Sequence, residues 1–101
     1  MLHVTDFAAA AIRHVIERNK APYGTGLRIS QGTAERPLKV ELAGAPQLGD
    51  TAITVADGVR VFLDAAAVGL LDGQILDVSI GVRGRVEFFT ADARQAIEPG
   101  R

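Results

Sequence analysis

The chain is expected to fold as one α+β domain: an N-terminal helix, about six short strands in a mixed or antiparallel sheet or half-barrel, and one short helix. Three observations carry this expectation. Only the first twenty residues show a long apolar repeat at helical spacing. After them, apolar and polar residues alternate one for one in several short runs. Between two of these runs stands Asp57-Gly58, a strong signal for a tight hairpin turn.

The helix begins with Thr5 as N-cap and Asp6 in the first turn, where a negative charge suits the helix dipole. Ala8, Ala11, Ile12, Val15 and Ile16 form its apolar face, and Arg13, Glu17 and Arg18 fall mostly off it. Pro22 disfavours helix at Ala21, which predicts an end near Asn19. Leu27 and Ile29 flank Arg28 in a first strand. Leu38, Val40 and Leu42 flank Lys39 and Glu41 in a second. Both patterns suit a sheet with one face in water.

Gln31 to Pro37 and Gly44 to Asp50 read as loops, the second punctuated by Pro46 and Gly49. Thr51 to Ala56 and Val59 to Leu63 form the hairpin around Asp57-Gly58. Asp64 then caps a short helix through Ala65 to Val68, stopped by Asp72-Gly73. Leu76, Val78 and Ile80 mark a fifth strand, Gly81 to Gly84 a turn, and Arg85 to Thr90 a sixth. The domain is expected over residues 1–90. Residues 91–101, ending in Pro99-Gly100-Arg101, are expected to be a partly disordered tail.

With 101 residues, 48% hydrophobic and 23% charged, the chain suits a single globular domain. A net charge of −1 gives no basic excess to neutralise phosphates, so no nucleic-acid role is expected. Arg13 interrupts the apolar stretch after a start with no basic region, so no signal peptide is read. No run reaches the roughly 20 apolar residues of a membrane span. A cytoplasmic protein is the expectation. The absence of cysteine excludes disulfides, thiolate catalysis and Cys-ligated metal sites.

The run Asp57-Gly58-Val59-Arg60-Val61-Phe62-Leu63-Asp64, followed by Leu70-Leu71-Asp72-Gly73 and Leu76-Asp77-Val78, resembles the HesB/IscA family of A-type iron–sulfur carriers. The helix and Gly26-Leu27-Arg28-Ile29-Ser30 extend the resemblance over about residues 2 to 90. It implies that family's fold, a relation to iron–sulfur cluster biogenesis, and self-association into a homo-oligomer.

The carriers hold one cysteine in the loop after the first strand and a Cys-Gly-Cys pair near the C-terminus. Here those places read Gln31-Gly32-Thr33-Ala34-Glu35-Arg36-Pro37 and Ala91 to Arg101. No ligand position carries over, and no cluster or other cofactor is expected.

No residue is singled out as catalytic, cofactor-binding or metal-ligating. His3 and His14 supply at most half of a transition-metal set, which needs three or four convergent ligands. They read as exposed imidazoles. Gly24-Thr25-Gly26 follows a helix and opens a strand, the reverse of a phosphate loop. Gly81-Val82-Arg83-Gly84 joins strands rather than the helices of an RNA-binding Gly-x-x-Gly loop. Ser30 and Ser79 lie in strands with no histidine near them in sequence, and no enzyme is expected. Asp57, Asp64, Asp72 and Asp77 read as turn and cap residues.

Two functions remain. One is a protein-interaction or self-association module that keeps the carrier frame without its cargo. The other is an auxiliary iron-binding protein using His and carboxylate ligands. The scatter of His, Asp and Glu along the chain favours the first.

Overall fold

The computed structural model describes residues 1–92. In chain order the elements are β1 (His3–Val4), α1 (Asp6–Arg18), β2 (Gly26–Gln31), β3 (Leu38–Ala43), β4 (Thr51–Thr54), β5 (Arg60–Leu63), α2 (Ala65–Leu70), β6 (Gln74–Ile80) and β7 (Val86–Asp92). The strands make two sheets, one ordered β3-β2-β5-β4 and one ordered β1-β6-β7. β2 runs parallel to β5 and β1 parallel to β6, while every other pair is antiparallel. The expected mixed α+β architecture is what the chain adopts.

Local chemistry sets the helix ends. The Thr5 hydroxyl accepts from the Ala8 N–H at 3.0 Å and donates to Asp77 Oδ1 at 2.8 Å. One side chain thus caps α1 and ties it to β6. Asp64 Oδ1 accepts from the Ala67 N–H at 2.8 Å, and its Oδ2 accepts from the Gln31 N–H at 3.0 Å. The cap of α2 therefore also closes the end of β2. α1 stops at Arg18, with Asn19 as C-cap, where Pro22 placed the limit.

Ala8, Ala9, Ile12, Val61 and Phe62 are fully buried, with Ile29, Leu71 and Leu76 close behind. Most of these belong to one core cluster that Leu2, Val4, Leu27, Val59, Leu63 and Ala67 complete. The small side chains of Ala8 and Ala9 let α1 sit close on the sheets. Gly26 does the same within its sheet: a Cβ there would stand 2.5 Å from the Arg60 carbonyl oxygen.

Several expectations need correction. β1 is a strand that the sequence does not announce, since two residues show no periodicity. β2 does not have a wet face: Arg28 is 8% exposed and Ser30 6%. It is an inner strand, and Asp50 neutralises its one charge (below). The buried stripe of α1 is Ala8, Ala9, Ile12 and the partly buried Ile16, while Ala11 and Val15 are only half-buried.

Asp77 is a mid-strand residue rather than a turn residue, because its carboxylate serves Thr5 and the Val78 N–H. Asp57 and Gly58 are the two central residues of the turn, both at positive φ and closed by the Val59 N–H on the Ala56 carbonyl at 3.2 Å, although the strand ladder stops one residue short of it. The Val55 N–H donates to the Val59 carbonyl at 2.8 Å, leaving three residues beyond that pair. β7 runs to Asp92, so Ala91 and Asp92 belong to the sheet and not to a tail. The remainder of the expected tail, 93–101, lies outside the described residues.

Candidate functional site

The β2–β3 loop, Gln31 to Pro37, is where the family resemblance implies a ligand cysteine. Here that loop is zipped to itself: Gly32 N–H donates to the Pro37 carbonyl and Thr33 N–H to the Arg36 carbonyl, both at 2.8 Å. The Arg36 N–H returns to the Thr33 hydroxyl at 3.2 Å. A Cβ at Gly32 would stand 2.0 Å from the Arg36 carbonyl oxygen, so the tight closure requires glycine. Arg36 and Lys39 line the hollow beside the loop. It offers hydrogen-bond donors and cations, and no soft ligand for iron.

A different surface carries the apolar exposure. Phe7, Ala10, Ala11 and His14 recur at i, i+3, i+4 and i+7 on α1, a second stripe beside the one that enters the core. Facing them are Val78 and Ile80 on β6 and Val86 on β7. Together they line a groove of about 410 Å³. Its floor is alanine, and its rim holds Phe7 at 79% and Ile80 at 66% exposed. An open, alanine-floored apolar slot can take a partner's hydrophobic side chains. Sequence reasoning placed Ala11 in the core face, left Phe7 and Ala10 unassigned, and so missed the groove. The 7/10/11/14 spacing was the available signal.

The remaining candidates separate. His14 stands on the groove wall and His3 on β1, both exposed. Among the described residues no three His, Asp or Glu side chains converge as a metal set would. Ser30 is buried in β2, and Ser79 is exposed in β6. Gly24 has φ +93°, and Thr25 is buried behind it, where the chain re-enters the sheet. Gly81 to Gly84 is a hairpin turn, with Arg83 at φ 64°. Asp57 and Asp72 lie in turns and Asp64 caps α2.

Sequence reasoning also missed an ionic pair whose side chains are almost wholly covered. Arg28 donates from Nε to Asp50 Oδ2 at 2.8 Å and from Nη2 to Asp50 Oδ1 at 3.0 Å, with Glu41 4.0 Å from Nη1. Asp50 also accepts from the Gln47 N–H at 2.8 Å. These bonds, Arg28 first, hold the Asp50 carboxyl below its ordinary range, and the bond to Asp50 raises Arg28. The pair pins the Gly44–Asp50 loop to β2 and faces no reactive group.

The frame that carries these surfaces matches two solved structures. Escherichia coli SufA, involved in biosynthesis of iron–sulfur clusters, superposes with a TM-score of 0.72 at 24% identity, over 90% of this chain and 84% of that one. IscA, solved with a [2Fe-2S] cluster, superposes with a TM-score of 0.62 at 18% identity, over 91% of this chain and 85% of that one. The chain has the HesB/IscA-like fold.

Within that HesB/IscA-like fold the sequence is also similar to curated proteins. It is 38% identical over 88 residues to the Fe/S biogenesis protein NfuA of Stenotrophomonas maltophilia strain R551-3. It is 35% identical over 88 residues to that of strain K279a. Each match covers 83% of this chain and 44% of the relative, so the chain spans somewhat under half the length of these relatives. No protein-family model matches it. Among the described residues no helix is long and apolar enough to cross a membrane.

Proposed function

We propose that this chain is an association module of iron–sulfur cluster biogenesis: a carrier-type frame that binds protein partners, its own copies included, and holds no cluster. The observation that carries this reading is a HesB/IscA-like fold built from 101 residues without a cysteine. Thiolates give the charge and softness that hold iron bridged by sulfide. The loop in the first ligand's place offers Thr33, Arg36 and Lys39 instead. The likeness to proteins named for Fe/S biogenesis supports a place in that process. The apolar groove between α1 and the β6–β7 hairpin supplies a surface for a partner.

Anaerobic reconstitution with ferrous iron and sulfide tests the reading. After desalting, iron and acid-labile sulfide are expected at background, with no visible charge-transfer absorption. Near-stoichiometric retention of both overturns it.

A further inference from the structure

We infer that the outer edge of β7 pairs antiparallel with the same edge of a second copy, in a register centred on Phe89. This inference rests on the association reading above and names the surface by which the chain would bind itself.

The two sheets end in four outer strands, β1, β7, β3 and β4. Outer strands invite unwanted pairing and are normally blunted by shortness, lysine, proline or a bulge. β1 has 2 residues and β4 has 4. β3 carries Lys39 and Glu41 and is entered directly from Pro37. β7 has 7 residues, Val-Glu-Phe-Phe-Thr-Ala-Asp, with no lysine or proline and an unbroken register against β6. Of the four, it alone combines full length with no lysine, proline or bulge among the described residues, Glu87 being the one charge within its span before Asp92.

The direction of its backbone groups follows from its neighbours. The Thr5 N–H donates to the Leu76 carbonyl, so the Leu76 peptide groups face β1. Ile75, Asp77 and Ser79 therefore face β7, and their partners Ala91, Phe89 and Glu87 face back. The Gly81 N–H bond to the Arg85 carbonyl, at 2.6 Å, fixes the same parity from the hairpin end. Val86, Phe88, Thr90 and Asp92 are left pointing outward. None of them has an outward backbone partner among the described residues.

Symmetry then restricts the register. A strand paired antiparallel with its own copy has the two-fold axis perpendicular to the sheet, so one residue must oppose itself. Centring on Phe89 opposes Val86 to Asp92 and Phe88 to Thr90 of the second copy, which satisfies all four outward residues. Among the described residues, centring on Phe88 leaves Asp92 over, and centring on Thr90 leaves Val86 over. The Phe89 register also sets Glu87 against Ala91 rather than against another acid. Phe89, 45% exposed on the face opposite Phe88, meets its own copy as a close, non-hydrogen-bonded aromatic pair.

The natural absence of cysteine makes the test clean. In Phe89→Cys the two thiols sit on Cα atoms about 4.5 Å apart, within the roughly 4.4–6.8 Å that a disulfide spans. Mild oxidation should give a cross-linked dimer. In Glu87→Cys each thiol lies about 13 Å from its own copy, at roughly 3.4 Å per residue, and should stay unlinked.

Thr90→Pro removes an outward N–H and leaves pairing with β6 intact. It should sediment as monomer where the unaltered chain is a dimer, with the helical circular dichroism retained. Equal cross-linking of both thiol variants, or a dimer that survives Thr90→Pro, overturns the inference while leaving association through another surface. An unaltered chain that is monomeric at about 50 µM, a range for weak interfaces, overturns it as well. Cluster retention in the reconstitution would instead strike the functional reading and leave the edge pairing standing.

Discussion

Arg28 and Asp50, 22 residues apart, meet in a two-bond fork at 2.8 and 3.0 Å, with side chains only 10% and 2% exposed. Each is the other's principal neutraliser. Removing one leaves a charge in a place built to exclude water, which is costlier than removing both. Arg28→Met should therefore lower the denaturation midpoint more than the double variant Arg28→Met with Asp50→Leu.

The same pair predicts an acid dependence. Arg28 and the Gln47 N–H hold the Asp50 carboxyl below its unfolded value. The stability this contributes is fully present above the ordinary aspartate value of about 3.9 and is lost as pH falls through the lower folded value. Thermal melts of the unaltered chain and of Asp50→Asn should differ most at neutral pH and converge only as pH falls through the lowered Asp50 value. Parallel curves across that range would show that the pair does not titrate with folding.

The turns at Asp57-Gly58 and Arg83-Gly84 are copies of one geometry: φ 60° and 73° in the first, 64° and 73° in the second. A β-branched residue is strained at such values, whereas nothing lies within 4 Å of a Cβ at Gly58. Gly58→Val should cost on the order of 1–3 kcal/mol from backbone strain. Gly58→Asn should cost less, since asparagine tolerates this region. Equal chemical denaturation midpoints for the two variants would refute the assignment to strain.

How far the sequence discloses this fold depends on the range of each signal. Thr5, Asp64 and Asp57-Gly58 were legible because caps and tight turns are decided within four residues. The role of Arg28 was not. Alternation marks Leu27 and Ile29 as one face, but it cannot say that β2 lies between β3 and β5 with both faces covered. Asp50 looked like a loop residue for the same reason. The groove was half legible: Ala11 is visibly apolar, yet which of two adjacent stripes on α1 enters the core is set by Val78, Ile80 and Val86, about 70 residues away. The Asp77 contact to Thr5 spans 72 positions, beyond any local pattern.

Thr5 does two jobs at once, so its replacements should separate. Thr5→Ala removes the cap on Ala8 and leaves Asp77 without its hydroxyl donor. A loss of about 1–2 kcal/mol is expected, the upper part of the N-cap range. Thr5→Ser keeps both bonds and should recover most of that loss. Urea titrations followed by circular dichroism measure both. A Thr5→Ser variant as weak as Thr5→Ala would mean that the methyl group, and not the hydroxyl, holds the helix start.

Ile80 is 66% exposed and forms the rim of the groove, so the fold gains little from it and a docked partner gains much. Replacing it with Lys should change stability by no more than about 0.5 kcal/mol, as for most surface sites. It should nevertheless abolish apolar binding in the slot between α1 and the β6–β7 hairpin. An environment-sensitive anilinonaphthalene dye reports this directly: bright fluorescence with the unaltered chain, and a several-fold loss with Ile80→Lys. Ala10→Trp, which fills the alanine floor, should reduce the signal in the same way without adding charge. Dye fluorescence unchanged in both variants would mean that the groove does not take up apolar ligands, and the partner surface would have to be sought elsewhere on the molecule.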